Sequence, residues 1–226
     1  SIENKYQIIS KIGEGGYGII YKARDVETNS IVTLKQLKIK FSDPSEEISQ
    51  SIHGEVDLLQ ELKGQPNIIN LKNIHLSKTR KNVYIVYDYH EFDLSRLIYQ
   101  KESLTIQQIK SYFKQMIISL QAVHSRGYIH CDIKPENFLI SPENEIKLID
   151  FGVSTKIDHP KKNPQTGTIQ YNAPELILGE SEYGFEVDVW SLGCTFYEMM
   201  TKEQLIKHSY SNSEIANQLV QIFGHP

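Results

Sequence analysis

The stretch His130-Cys131-Asp132-Ile133-Lys134-Pro135-Glu136-Asn137 places a carboxylate, an amine and a carboxamide at offsets of zero, two and five. Pro135 breaks any helix there, so the stretch is expected to be a loop with its own fixed shape. Thirteen residues beyond Asn137, Asp150-Phe151-Gly152 closes the β-rich run Ile146-Lys147-Leu148-Ile149. An acid, an amide that can ligate Mg²⁺ and a second acid are the groups that phosphoryl transfer uses, because its catalysis is mostly positioning and charge stabilisation. Either motif alone also fits a solvated polar turn. Both in this order, at this separation, argue against that.

The preceding elements must bring phosphate-binding groups to such a centre. Tyr6 to Lys11 reads as a strand leading into Gly13-Glu14-Gly15-Gly16-Tyr17-Gly18. A lone G-x-G-x-x-G also serves dinucleotide binding, but there it opens a helix. Here Ile19-Ile20-Tyr21 follows, and β-branched and aromatic residues favour a hairpin. A glycine-rich hairpin lets backbone N–H groups approach phosphates closely, although an ordinary turn would have the same composition. The whole of residues 1–37 reads as strands. In Ile31-Val32-Thr33-Leu34-Lys35, alternation puts Ile31, Thr33 and Lys35 on one face, where the amine could reach a phosphate.

Asp43-Pro44 reads as a helix start. Ile48, Ile52, Val56, Leu59 and Leu62 then form an apolar stripe at helical spacing, and Glu55 lies along it. A carboxylate there needs a cation, and Lys35 is the natural partner; the alternative is an edge position reaching water. Pro66-Asn67 turns the chain, and Leu71–Leu76 and Val83–Tyr89 read as strands. Asp88-Tyr89-His90-Glu91-Phe92-Asp93 is polar and strand-poor. Thr105 to Gln108 is a capping box. Ile109, Tyr112, Phe113, Met116, Ile117, Leu120 and Val123 give a long core stripe ended by Gly127. Phe138–Ile140 and Ile146–Ile149 flank a hairpin turn. Residues 153–172 are polar and aperiodic, as functional or disordered segments are. An apolar helix runs from Asp188 to about Thr201, and Ser213 to Phe223 is a last amphipathic helix.

Composition bounds the function classes. The 226 residues are 39% hydrophobic and 23% charged, which are globular values with room for one large core or two smaller ones. A net charge of −4 argues against a nucleic-acid or membrane surface as main partner. Two cysteines make no disulfide framework, so an intracellular, reducing setting is expected, cytoplasmic or nuclear. No apolar run approaches the roughly eighteen residues of a membrane span, and residues 1–20 do not read as a signal peptide. The eight histidines lack metal-ligand spacing, and His130 beside Cys131 is not by itself a hydrolase dyad.

Taken in series, these motifs resemble those of eukaryotic protein kinases over residues 6–223. The loop at Asp132 is similar to H-R-D-x-x-x-x-N with Cys131 for the Arg, Asp150-Phe151-Gly152 to D-F-G, Leu34-Lys35 to the end of V-A-I-K, and Ala173-Pro174-Glu175 to A-P-E. Val187 to Cys194 and Glu175 to Gly179 further resemble the cyclin-dependent kinase group of serine/threonine enzymes. The resemblance implies an α+β, bilobal fold: a small five-stranded antiparallel lobe with one helix over residues 1–88, a hinge at 89–93, and a larger mainly helical lobe over 94–226. It implies ATP and Mg²⁺ as cofactors and a protein hydroxyl as acceptor. Asp132 would accept the hydroxyl proton and Lys134 would steady the γ-phosphate, while Asn137 and Asp150 would hold Mg²⁺. Ile12, Gly13, Glu14, Gly15, Gly16, Tyr17, Gly18 and Ile20 would cover the nucleotide, and Lys35, held by Glu55, would orient its phosphates. Asp88 and His90 would line the hinge, with Tyr87 at the gatekeeper position. Asp93 would bind a ribose hydroxyl, unless it is an ordinary surface carboxylate. His130 would be structural, and Asp188 would tie down the catalytic loop.

Departures from the pattern carry their own implications. The cyclin-binding signature P-S-T-A-I-R-E is replaced by Ser49-Gln50-Ser51-Ile52-His53-Gly54-Glu55. A regulatory protein partner on that helix or on the larger lobe is implied, and the replacement weighs against cyclin. Asn172 stands where the group has Arg before A-P-E, which weighs against proline direction. The family continues past Pro226 with helices that supply an Arg to the A-P-E Glu, so a truncated chain is expected, and Glu175 would need another source of that partner. A pseudokinase, binding nucleotide without turnover, is the competing class. Its usual mark, loss of the Lys or of either Asp, is absent here.

Overall fold

A computed structural model describes residues 2–15, 18–38, 47–77, 82–158, 167–207 and 211–224. The chain divides into two compact units, Ser1–Gly64 with Ile69–Glu91, and Gln65–Ile68 with Phe92–Pro226.

In the first unit, α1 (Ile2–Lys5) precedes β1 (Tyr6–Gly15), β2 (Gly18–Asp25) and β3 (Ile31–Lys38). Then come α2 (Glu47–Glu61), β4 (Leu71–Leu76) and β5 (Asn82–Asp88). Reading residues 1–37 as strands throughout missed α1, a single turn that buries Ile2 against Tyr6, Ala23, Val32, Leu34 and Val86. The five strands form one antiparallel sheet in the order β1-β2-β3-β5-β4. Val32 and Leu34 supply its buried face, and Thr33 and Lys35 point the other way, as alternation requires. Of the predicted stripe, Leu59 on α2 and Leu62 just past its end are buried, and so is Leu58, which the stripe did not include. The predicted start at Asp43-Pro44 lies outside the described residues.

The second unit begins with β6 (Phe92–Asp93), α3 (Leu94–Ile98), α4 (Ile106–His124) and β7 (Tyr128–Ile129). It continues through β8 (Phe138–Ile140), β9 (Ile146–Leu148), β10 (Thr155–Lys156), α5 (Pro174–Ile177), α6 (Glu186–Thr201) and α7 (Asn212–Phe223). Gln65–Ile68 joins this unit because Ile68 bridges Leu148 and the Asn67 side chain donates to the Ile146 carbonyl at 3.0 Å. The Thr105 capping box is present, with Thr105 and Gln108 bonded reciprocally. Along α4 the stripe is buried at Ile109, Tyr112, Met116, Leu120 and Val123, but Ile117 is 45% exposed. It sits about 100° round the helix from Met116, off the packed face. Two short pairings escaped the sequence reading: β6 adds to the β8–β9 hairpin, and β10 pairs with β7. Both are two-residue strands, too short for any periodic signal.

Candidate active site

In the first unit, the glycine-rich stretch is a hairpin, with Gly15 opposite Gly18 and Gly13 opposite Ile20. Gly18 has φ +144°, and a Cβ there would lie 2.1 Å from the Gln36 carbonyl oxygen, so no other residue fits. Ile12 is half exposed, and Glu14 pairs with Lys11. Gly16 and Tyr17 lie outside the described residues. Register sets Ile20 directly opposite Lys35 across β2 and β3, so both share one face of the sheet.

Lys35 and Glu55, twenty residues apart, meet at 2.8 Å between Nζ and Oε1. Both are buried, and Glu55 is only 4% exposed, so it does not reach water from an edge position. The same Oε1 accepts a hydrogen bond of 3.2 Å from the Tyr87 hydroxyl. Asp88, at the end of β5, accepts from Lys72 (2.9 Å) and Asn70 (3.1 Å). Burial pushes its carboxyl up, but those two donors more than offset it and hold it below its usual value. His90 is half-buried in the connection that follows.

In the second unit, Asp132 lies in a loop that is saturated with hydrogen bonds. Its Oδ1 accepts from the Thr168 hydroxyl at 2.7 Å. Its Oδ2 is 2.9 Å from Lys134 Nζ and 3.0 Å from Asn137 Nδ2. Lys134 also donates to Thr168 Oγ1 at 2.7 Å. Asn137 gives its amide hydrogens to Asp132, so the carboxamide oxygen faces away from that carboxylate. Pro135–Asn137 is one turn of 3₁₀ helix rather than a helix-free loop, because proline at the first position needs no N–H donor. The Asn137 carbonyl takes the Ile149 N–H at 3.0 Å, which sets Asp150 beside Asn137 in the chain's path. Both offer hard oxygen donors of the kind Mg²⁺ accepts. Among the described residues no group of three or more His, Cys, Asp or Glu could hold a metal. Asp93 caps α3, one oxygen accepting the Arg96 N–H at 2.7 Å.

The loop is held from below by Asp188, which is fully buried on the first turn of α6. Its two oxygens accept the backbone N–H groups of His130 (2.8 Å) and Cys131 (2.9 Å), and His124 Nε2 lies 2.8 Å from one of them. Cys131 and Asp150 have φ of 65° and 63°, left-handed values that cost a non-glycine residue about 1–2 kcal/mol. The strain sits beside the residues whose direction it sets. His130 is fully buried, with Nε2 3.0 Å from the Ile149 carbonyl, so it spans the two motifs structurally. Cys131 is buried against Ala173, Leu176, Tyr183 and Val187, an environment that suits packing rather than a nucleophile. Gly167 presses on the same loop: a Cβ there would lie 2.2 Å from the Cys131 carbonyl oxygen.

One buried acid was not picked out from the sequence. Glu198 on α6 is 1% exposed and accepts the hydroxyls of Tyr99 and Tyr171, each at 2.6 Å. It thereby ties α3 and the 3₁₀ turn Ile169–Tyr171 to α6. Burial first, and the Glu198 carboxylate second, push both phenols well above the usual range. Burial also pushes the nearby Cys194 thiol up to about 12. Its signal was an acid inside an apolar helix, the same pattern that singled out Glu55. Glu175 is half-buried and has no side-chain hydrogen bond among the described residues; it lines a cavity of about 800 Å³ with Trp190 and Phe223.

A protein kinase domain profile matches residues 6–225. The chain is 36% identical over 225 residues to cyclin-dependent kinase C-2 C of Arabidopsis thaliana, covering 98% of this chain and 34% of that protein. It is 39% identical over 204 residues to cyclin-dependent kinase 7 of Dictyostelium discoideum, covering 88% and 56%. It superposes on a chain of the yeast RNA Pol II CTD kinase CTDK-1 complex with a TM-score of 0.85 at 31% identity, covering 98% of this chain and 69% of that one. The chain thus spans about a third to just over half the length of these curated relatives.

Proposed function

The chain belongs to the protein kinase family, and from that premise we propose that it transfers the γ-phosphoryl of ATP to serine or threonine hydroxyls of protein substrates. The observation that carries this reading is the Asp132 carboxylate, held on both oxygens by Lys134, Thr168 and Asn137. That geometry fits a general base whose direction is set before substrate arrives. Lys134 would bring positive charge to the transferred group. Thr168 would hold Lys134 and Asp132 in one arrangement. The glycine hairpin would offer backbone N–H groups to the phosphates, and Lys35, oriented by Glu55, an ammonium. Asn137 and Asp150 would hold Mg²⁺, which when bound neutralises charge developing on the phosphate oxygens. Ile12, Ile20 and the segment from Asp88 to His90 would receive the base, and the Asp93 oxygen not needed as a cap would receive the ribose.

A regulatory protein partner on α2 or on the larger lobe belongs to the same proposal, supported by the cyclin-dependent kinases among the relatives. The Ser49–Glu55 sequence weighs against cyclin itself. Two buried cysteines, neither of them in a disulfide, support a reducing, intracellular setting. No described helix is long and apolar enough to cross a membrane.

The test is to incubate purified protein with ATP, Mg²⁺ and a peptide array, then identify the modified residue. Phosphoserine or phosphothreonine that requires Mg²⁺ is expected. Nucleotide binding with no transfer to any peptide would overturn the reading in favour of a pseudokinase.

A further inference from the structure

Glu55 presents a problem that one lysine does not solve. A buried carboxylate is tolerated when its charge is paired and its remaining lone pairs are satisfied. Here one oxygen takes two donors, Lys35 Nζ at 2.8 Å and the Tyr87 hydroxyl at 3.2 Å. The strand register explains how. In the antiparallel β3–β5 pair, Tyr87 lies opposite Thr33 and Ile85 opposite Lys35. Thr33, Lys35 and Tyr87 therefore share one face, with Tyr87 diagonal to Lys35. Two neighbouring strands thus present an ammonium and a phenol to a single atom on α2.

The roles of the two donors differ. Lys35 is on a flexible four-carbon stem, and its ammonium can follow Glu55 wherever the helix goes. Tyr87 has a rigid ring, is 8% exposed, and its hydroxyl position is set by β5. The phenol fixes where the carboxylate sits, and the carboxylate in turn fixes where the ammonium points. Phenylalanine would fill the same volume without this bond.

We propose that Tyr87 is a positioning residue for phosphoryl transfer, its hydroxyl holding Glu55 against β5 so that Lys35 is oriented before nucleotide binds. The inference rests on the reading of Lys35 as the phosphate-orienting amine.

Tyr87→Phe tests it with little loss of packing. A hydrogen bond to a charged group corresponds to a change on the order of tenfold. The expected result is a fall in kcat of that order at unchanged peptide KM, because the interaction supports the transition state rather than peptide binding. The same substitution in a Glu55→Leu background, which leaves the phenol no acceptor at that position, should cause less than a twofold further loss, since the phenol acts through that carboxylate. In the nucleotide-free protein, amide hydrogen exchange of residues 54–61 should quicken several-fold while that of α4 stays unchanged. Full kcat in Tyr87→Phe, an equal loss in the Glu55→Leu background, or unaltered exchange in α2 would each overturn the proposal. An inactive wild-type protein would instead overturn the phosphoryl-transfer reading beneath it, which distinguishes the two failures.

Discussion

Replacing Asp188 by Asn should loosen the Asp132 loop without touching any group assigned to chemistry. The aspartate accepts the His130 and Cys131 N–H groups on different oxygens. A carboxamide has only one oxygen to offer. Whichever orientation it takes, an amide N–H₂ faces one of the two backbone N–H groups, leaving two buried donors unsatisfied. At about 1–3 kcal/mol for each such group, the loss is about 2–6 kcal/mol. That is a large part of the roughly 5–15 kcal/mol that stabilises a folded domain. It falls on Cys131, whose left-handed φ of 65° those bonds help to maintain. The single tryptophan, Trp190, lies two residues from Asp188 on the same helix, so its fluorescence reports the unit in question. With a urea dependence of about 2–3 kcal/mol per M, the unfolding midpoint should drop by about 0.7 M or more. Turnover measured well below the midpoint should fall as well, because Asp132 loses its fixed backbone. A midpoint within about 0.2 M of wild type, with full turnover, would refute the idea that Asp188 holds the loop.

Other outcomes follow from the same contacts. Thr168→Val keeps the shape but removes the hydroxyl between Asp132 and Lys134, and should lower kcat about tenfold, read by steady-state peptide phosphorylation. Activity should not depend on a phosphate between residues 153 and 172. The positions matching the family's three phosphate-holding arginines are Gly54, Cys131 and Thr155, and the matching acceptor is Asn163, which lies outside the described residues. Phosphatase treatment checked by mass spectrometry should leave turnover intact; a large loss restored by rephosphorylation would contradict this. Asp88 ionises more readily when folded than when unfolded, so its contribution is present above the ordinary carboxylate range and is lost as pH falls through the lower folded value. Lys72→Met should therefore move acid unfolding to higher pH, followed by circular dichroism.

The parts of the fold that could be read from residues alone were those with local causes. The glycine hairpin, the Thr105 capping box and the Lys35–Glu55 pair follow from backbone freedom, side-chain reach and the cost of an unpaired buried charge. The two-residue strands β6, β7 and β10 form through long-range pairing, and two residues carry no pattern. Ile117 is as apolar as Met116, and only the packing of α4 puts one out and the other in. The left-handed backbone at Cys131 and Asp150 is imposed by tertiary bonds on residue types that do not favour it. Tyr87 could be placed in the strand before Asp88, but its bond to Glu55 depends on the β3–β5 register, which two separate strands do not disclose.

The most direct test of the central claim compares wild type and Asp132→Asn side by side for Mg²⁺-dependent transfer of γ-phosphoryl to a peptide and for nucleotide affinity. A general base contributes roughly 10²–10⁴-fold, so transfer should fall by that factor while nucleotide affinity stays within twofold. Transfer that survives the substitution undiminished would contradict the assignment of Asp132 and the mechanism built on it.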